Sequence, residues 1–310
     1  LRLREAAGGG RGRQRWARPA AGADERGTAM IEGSYQGFDV ALARPGVALV
    51  TFGHPERLGA LSFGARRDLV EVLTLAQLDD AVRVVVLTGT GRGFVAGVNN
   101  RPADEDPTLV PGRPPAAPAP VNLYGQLVHF AQDPVRTIRR LDKLTIAAVN
   151  GYAIQLGLSI ALACDFALAA RSAQLGSATL RMGWQPDEGG HWLLVEHLGV
   201  KGALDFLLRK RIVAGEEACR LGLVNEVVDD DALVPRALDL AVELASGPQV
   251  AMRLLKKAVY NAARLTFDQA GDDIASKTAI SDHHQDAIDG SAAFFAKEEP
   301  VFNRWLEEPG

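Results

Sequence analysis

Two glycine-rich turns carry most of the residues that could do chemistry. Gly89-Thr90-Gly91-Arg92-Gly93-Phe94 follows a β-branched run, the setting in which backbone N–H groups cradle phosphates. The third glycine of a dinucleotide-binding loop is missing, because Phe94 stands there, and Pro102 follows soon after where a helix should begin. Gly157-Leu158-Ser159-Ile160-Ala161 falls one glycine short of a nucleophile elbow, and no strand feeds Ser159 directly. His283 and His284 are adjacent on a helical stretch, so they point to different faces and cannot jointly hold one metal ion. Cys164 and Cys219 form no C-x-x-C pair and read as buried thiols of a reducing, cytoplasmic compartment.

The elements that must position these turns alternate between strand and helix. Gly37–Leu42 and Val47–Phe52 read as strands around the turn signal Arg44-Pro45-Gly46. Residues 63–78 carry leucines and valines at helical spacing. Val82–Thr88 is a nearly continuous β-branched run, as expected of a strand buried on both faces. Residues 101–120 contain seven prolines, which predicts a loop, plausibly a lid. Val121–Leu141 is expected to be helical, Leu144–Val149 a buried strand, Leu158–Cys164 a helix and Asp165–Ala170 a strand. After Val228 the pattern is almost all helix, over roughly 230–246, 248–264 and 266–297. An α/β core with a helical C-terminal part follows from that order.

Composition excludes several classes. Of the 310 residues, 47% are hydrophobic and 23% charged, with 34 Lys and Arg against 38 Asp and Glu, for a net charge of −4. That balance argues against a nucleic-acid or membrane-surface protein, and no apolar run reaches the length of a membrane span. Residues 1–29 differ, with seven Arg against Glu5, Asp24 and Glu25 and no hydrophobic face. Residues 1–30 are therefore expected to be a disordered or non-native leader, with folded sequence beginning near Met30.

A pairing of the two glycine turns with later segments makes better sense of both. Val84–Asn100 (VVVLTGTGRGFVAGVNN) and Ile146–Asp165 (IAAVNGYAIQLGLSIALACD) each run strand, glycine turn, then a further motif. Together with Leu175–Gly199, Ala214–Val228 and Ala293–Phe302, in that order, they resemble the crotonase, or enoyl-CoA hydratase/isomerase, superfamily. The resemblance runs from about residue 37 to about 305. It implies a spiral of ββα turns over residues 31–229, binding acyl-CoA, and a helical domain over 230–310 that builds a homotrimer or a dimer of trimers. It also implies acyl-coenzyme A as the substrate, coenzyme A arriving as part of it, and no metal or redox cofactor. Lipid or aromatic-acid catabolism is the setting that such substrates suggest.

The chemistry implied is enolate formation. A thioester loses an α or γ proton, and the charge that develops on its oxygen needs donors; two backbone N–H groups, one from a turn and one from a helix N-terminus, supply them. By the resemblance these are the N–H of Val98, after Ala96-Gly97, and that of Leu156, with Gly157 following. The two glutamates that a hydratase of the superfamily uses fall on Ser159 and Thr179. Neither is a base near neutral pH, so two-Glu hydration is disfavoured. Pro186-Asp187-Glu188-Gly189-Gly190 instead resembles the 1,2-epoxyphenylacetyl-CoA isomerase branch. A single carboxylate suffices for an isomerase, since it removes a proton and returns it to another carbon. Asp187 is the expected base, or else the N-cap of a helix starting at Glu188; Glu188 is the second catalytic candidate.

Other departures bear on the site. The family's glycine cluster has become Ile154-Gln155-Leu156, bulk that is expected to narrow the acyl pocket. Asn99 replaces a usual Asp, and His191 beside Trp192 reads as a packed residue. For coenzyme A, the resemblance places the adenine near Ala60, with Arg57 and Lys297 as candidates for the phosphates. Two rival classes remain: a hydrolase or decarboxylase using the same oxyanion hole, and an inert acyl-CoA-binding paralogue.

Overall fold

The computed structural model describes residues 31–99, 124–125 and 127–306. Residues 1–30, read above as a leader, and the proline-rich segment 101–120 lie outside the described residues. Two sheets carry the core. The larger contains β1 (Gly33–Tyr35), β2 (Phe38–Arg44), β3 (Gly46–Phe52), β4 (Val82–Gly89), β6 (Leu144–Val149), β8 (Phe166–Ala170) and β11 (Glu226–Val228), side by side in that order. The β1–β2–β3 edge is antiparallel and the rest, from β3 to β11, is parallel. Parallel strands need both faces covered, and Val84 through Leu87 and Ile146 through Val149 are each fully buried. The smaller sheet has the order β10 (Ile212–Ala214), β9 (Gln174–Gly176), β7 (Tyr152–Ile154), β5 (Gly93–Ala96).

The chain alternates between the sheets. After β4 it crosses to β5, after β6 to β7, and after β8 to β9, so each turn of the spiral lays one strand in each layer. Helix α1 (Phe63–Leu78) opens on Ser62, whose hydroxyl accepts the Ala65 N–H at 3.1 Å, and it buries Leu69, Val72 and Leu73. Helix α2 (Asp133–Arg140) covers the end of the expected 121–141 span, in which residues 124–125 are helical as well. Pro134, which lacks an N–H and cannot extend an earlier helix, sits in its first turn, and a wide turn over Leu127–Ala131 precedes it. Helix α3 (Leu156–Ala163) starts two residues earlier than its apolar pattern suggested and is buried along its whole length. Cys164 beyond it is free and buried, with its thiol pushed up to about 12 by burial; Cys219 is free as well.

The C-terminal helices divide by what they cover. Helix α4 (Gly190–Leu208) breaks at Gly199, and the short α5 (Gly215–Arg220) follows. Helix α6 (Leu233–Ser246) buries Leu233, Ala237, Leu238, Ala241 and Ala245 and packs on the large sheet. Helix α7 (Gln249–Ala262) buries only Gln249 and Lys256. The expected single helix over 266–297 is two: α8 (Phe267–Ser281), begun by a Thr266–Gln269 capping box, and α9 (Gln285–Ala296). His284 divides them, because its Nδ1 accepts the Asp286 N–H at 3.2 Å and so starts a new helix. Among the described residues no helix is long and apolar enough to cross a membrane.

A buried ionic cluster fastens α7 to the core. Asp165, just before β8, accepts from Lys256 Nζ at 2.7 Å, from the Tyr260 hydroxyl at 2.7 Å and from the Thr145 N–H at 2.7 Å. Lys256 also donates to the Lys143 carbonyl at 2.9 Å. Replacing Lys256 by Met is expected to cost about 3–5 kcal/mol, because Asp165 would keep a buried charge without its counter-ion. A urea unfolding midpoint unchanged from the parent would contradict this.

Candidate active site

The small sheet sets the geometry of the two expected donors. β5 and β7 are parallel, with Ala96 opposite Ile154. Val98 and Leu156 each lie two residues beyond that pair, so the register brings both to one end of the sheet. Gly97 takes φ +90°, a conformation glycine adopts without penalty. Beyond it Val98 bridges to Leu61, with the Leu61 N–H donating to the Gly97 carbonyl and the Asn99 N–H to the Leu61 carbonyl. The Val98 N–H takes no part in that bridge. Leu156 and Gly157 open α3, and their N–H groups belong to the first turn, which has no partner within the helix. Gly157 packs so closely on β5 that a Cβ would lie 1.9 Å from the Val95 carbonyl oxygen. The approach of α3 to β5 therefore depends on that glycine.

The Ile154-Gln155-Leu156 replacement does not fill the site. Leu156 is buried in the core. Gln155 holds the positive φ, at 53° with ψ −100°, a strained conformation for a side-chain-bearing residue. Its amide joins three residues. The oxygen accepts from Ser177 Oγ at 2.7 Å and Thr179 Oγ1 at 3.2 Å, while Nε2 donates to Glu188 Oε1 at 2.7 Å. Sequence reading took Gln155 only as bulk. A long amide in a turn that needs positive φ was the available signal.

Glu188 is the carboxylate turned inward. It is 3% exposed, and Oε1 also accepts from Ser159 Oγ, itself fully buried, at 2.7 Å. Oε2 accepts the Asp187 N–H at 3.1 Å. Burial pushes the Glu188 carboxyl above the ordinary glutamate range, against the pull of the Ser159 hydrogen bond. The buried carboxylate thus rests on the second turn of the helix whose first turn supplies the Leu156 and Gly157 donors.

Asp187 is placed differently. Its side chain is exposed, and its carbonyl accepts from Gln132 Nε2 at 3.2 Å. Nor does it take the alternative role of helix N-cap: α4 starts at Gly190, and the cap is Gly189 with φ 100°. The turn needs that left-handed residue, which displaces the helix start by two positions from the sequence reading. Thr179 lies within the Gln155 network, while Ala60 follows the short helical turn Pro55–Arg57 that contains Arg57. Lys297 ends α9 in a left-handed conformation, and His191 is exposed in the first turn of α4. Among the described residues no group of three His, Cys, Asp or Glu is placed to hold a metal ion.

Comparison with known proteins agrees with this layout. The family model for enoyl-CoA hydratase/isomerase matches residues 43–304. A 1,2-epoxyphenylacetyl-CoA isomerase of Escherichia coli is 34% identical over 265 residues, covering 86% of this chain and 98% of the relative. A short-chain-enoyl-CoA hydratase of Clostridium acetobutylicum is 32% identical over 234 residues, covering 75% of this chain and 85% of the relative. The crystal structure of an enoyl-CoA hydratase from Bacillus anthracis superposes with a TM-score of 0.77 at 27% identity, covering 86% of this chain and 99% of that one. With its paired strand ends, its glycine-dependent helix start and its match from residue 43 to residue 304, the chain belongs to the enoyl-CoA hydratase/isomerase family.

Proposed function

We propose that this protein isomerises acyl-coenzyme A thioesters through an enolate, with Glu188 carrying the proton. The N–H groups of Val98 and Leu156, the latter at the positive end of α3, would hold the thioester oxygen as charge builds on it. A C–H bond on the acyl chain breaks, and its electron pair moves into the enolate while Glu188 takes the proton. The same carboxyl returns that proton to another carbon, so nothing is consumed. Coenzyme A enters only as part of the substrate, with Ala60, Arg57 and Lys297 as its proposed contacts.

The observation that carries this reading is the buried carboxylate of Glu188, held against Ser159 at the start of α3. The hydratase positions are filled by Ser159 and Thr179, which hydrogen-bond within the network and offer no carboxylate. The relative named as a 1,2-epoxyphenylacetyl-CoA isomerase points the same way. Hydration is the second reading, because Asp187 beside Glu188 could add a second carboxylate and another relative is named as a hydratase. Incubating a 3-enoyl-CoA and, separately, a 2-enoyl-CoA with the protein in deuterium oxide separates the classes. An isomerase converts the 3-enoyl to the 2-enoyl ester, with deuterium on carbon only as far as the Glu188 carboxyl exchanges with solvent; a hydratase adds the mass of water to the 2-enoyl ester, and a hydrolase frees the coenzyme A thiol. Recovery of the 3-enoyl ester unchanged, with no deuterium at its α carbon, would refute enolate chemistry.

A trimer, or a dimer of trimers, is part of the same proposal. Phe267, Phe294 and Phe295 are 92%, 78% and 83% exposed, and α8 buries none of its residues within its own chain. Aromatic side chains so placed call for a cover, and a closed assembly of like subunits supplies it. Light scattering is expected to give a multiple of three subunits. Changing Phe294 and Phe295 together to Asp is expected to shift the mass toward a monomer. A parent protein that is monomeric at micromolar concentration would overturn the assembly.

A further inference from the structure

The backbone at Gln155 differs from that of other left-handed residues. His54, Leu58 and Lys297 pair a positive φ with ψ of 54°, 36° and 40°, the ordinary left-handed well, whereas Gln155 combines φ 53° with ψ −100°. Outside that well a side chain costs energy, and the cost persists only where the surroundings impose it. Glycine would adopt the same turn freely. What glycine would not supply is the amide.

That amide is oriented from both ends. A carboxylate can only accept, so the amide nitrogen faces Glu188, where Nε2 donates to Oε1 at 2.7 Å. The amide oxygen is then turned to Ser177 and Thr179, whose hydroxyls donate to it at 2.7 and 3.2 Å. Glu188 Oε1 also accepts from Ser159 Oγ at 2.7 Å, and Oε2 accepts the Asp187 N–H at 3.1 Å. Each carboxylate oxygen offers two lone pairs. Among the described residues, side chains take both of those on Oε1, while Oε2 has one left.

We infer that Gln155 is a positioning residue: with Ser159 it occupies Oε1 and so assigns to Oε2 the proton that Glu188 takes from carbon and returns to it. This deepens the isomerase reading and rests on it. Gln155 does not line the cavity beside Glu188, so its effect on the substrate passes through that carboxylate. A donor on Oε1 also favours the charged form, the form that can act as a base. From α3 and the turn before it Glu188 meets Ser159 and Gln155, which do not titrate. The titratable groups on the elements around it are Asp187 on its own turn, His191 on α4, Arg136 and Arg139 on α2, Lys256 on α7 and Lys277 on α8. The test leaves all of these in place.

Gln155→Met keeps the length and the strained turn but removes the amide; Gln155→Gly removes the side chain and relieves the turn. Both are expected to lower kcat on 3-hexenoyl-CoA about ten- to a hundredfold, the range for a hydrogen bond to a charged group, with KM near the parental value. Both are expected to move the rise of activity with pH to higher pH, because a donor to the charged form is lost. Gln155→Gly is expected to unfold at a temperature no lower than the parent's, which separates slow turnover from a damaged fold. Ser177→Ala with Thr179→Val is expected to slow the parent and to slow Gln155→Gly no further. Parental kcat and an unmoved pH profile in Gln155→Gly would overturn the inference, as would equal losses from the two hydroxyl changes in both backgrounds. Glu188 can also be titrated without turnover, by carbon NMR of protein labelled at the Glu carboxyls, its resonance being the one missing from Glu188→Gln. If the parent isomerises no ester, the isomerase reading fails by itself and this titration decides. A Glu188 midpoint about one pH unit higher in Gln155→Gly supports the hold on Oε1, and an unchanged midpoint overturns it.

Discussion

Glu188→Gln is expected to lower isomerase turnover by about 10²–10⁴, the usual contribution of a positioned general base, with the fold intact. The amide keeps the size of the side chain and its oxygen can still accept from Ser159 and Gln155, giving up only the Asp187 N–H contact, but it takes no proton. Asp187→Asn is the comparison that gives the result meaning. Asp187 is exposed and Glu188 is buried against Ser159 and Gln155, so the Asp187 change is expected to cost much less. The reverse ranking would move the base to Asp187 and overturn the assignment. The pH profile adds a second readout. A base works in its charged form, and burial holds the Glu188 carboxyl above the ordinary glutamate range. Activity should therefore rise with pH through a limb above that range. Ser159→Ala removes a hydrogen bond that favours the charged form and is expected to move the limb to still higher pH.

Gly157→Ala is the second change with a large expected effect. The new methyl group would lie 1.9 Å from the Val95 carbonyl oxygen and 2.8 Å from its carbon, so α3 and β5 must separate. The Leu156 donor would then no longer share a target with Val98. The expected loss is about 10²–10³ in kcat, as for removal of one oxyanion donor. A stability cost of about 1–3 kcal/mol is expected as well, from overpacking. Thermal unfolding and steady-state kinetics separate the two effects: a folded protein with parental kcat would show that the helix start does not serve the thioester oxygen.

Much of this site is legible in the residues themselves. Val82–Thr88 and Leu144–Val149 can only be strands covered on both faces, because nearly every side chain in them is apolar and many are β-branched. Alternating strands and helices then bring the turns after β5 and β7 to one end of a sheet. Gly97 takes a positive φ and Gly157 has no room for a side chain, and the resemblance to the family names the two proposed donors beside them. Local chemistry is enough for these features, since each depends on residues within a few positions of one another.

The rest needed the tertiary structure. Asp187 and Glu188 are adjacent and chemically alike, and which of them turns inward depends on Gly189 adopting a left-handed conformation ahead of α4. That choice is made by the packing of α4 on α3, through Gly190 against Ser159. Gln155 looked like an obstruction because its partners, Ser177, Thr179 and Glu188, are 22 to 33 positions away. A cavity beside Glu188 is lined by residues that run from Gln132 to Lys277, and no local pattern announces it. Periodicity and turn chemistry report what a segment does to its own backbone; which side chains meet across the core is decided by the way helices and sheets pack, an interaction between distant parts of the chain.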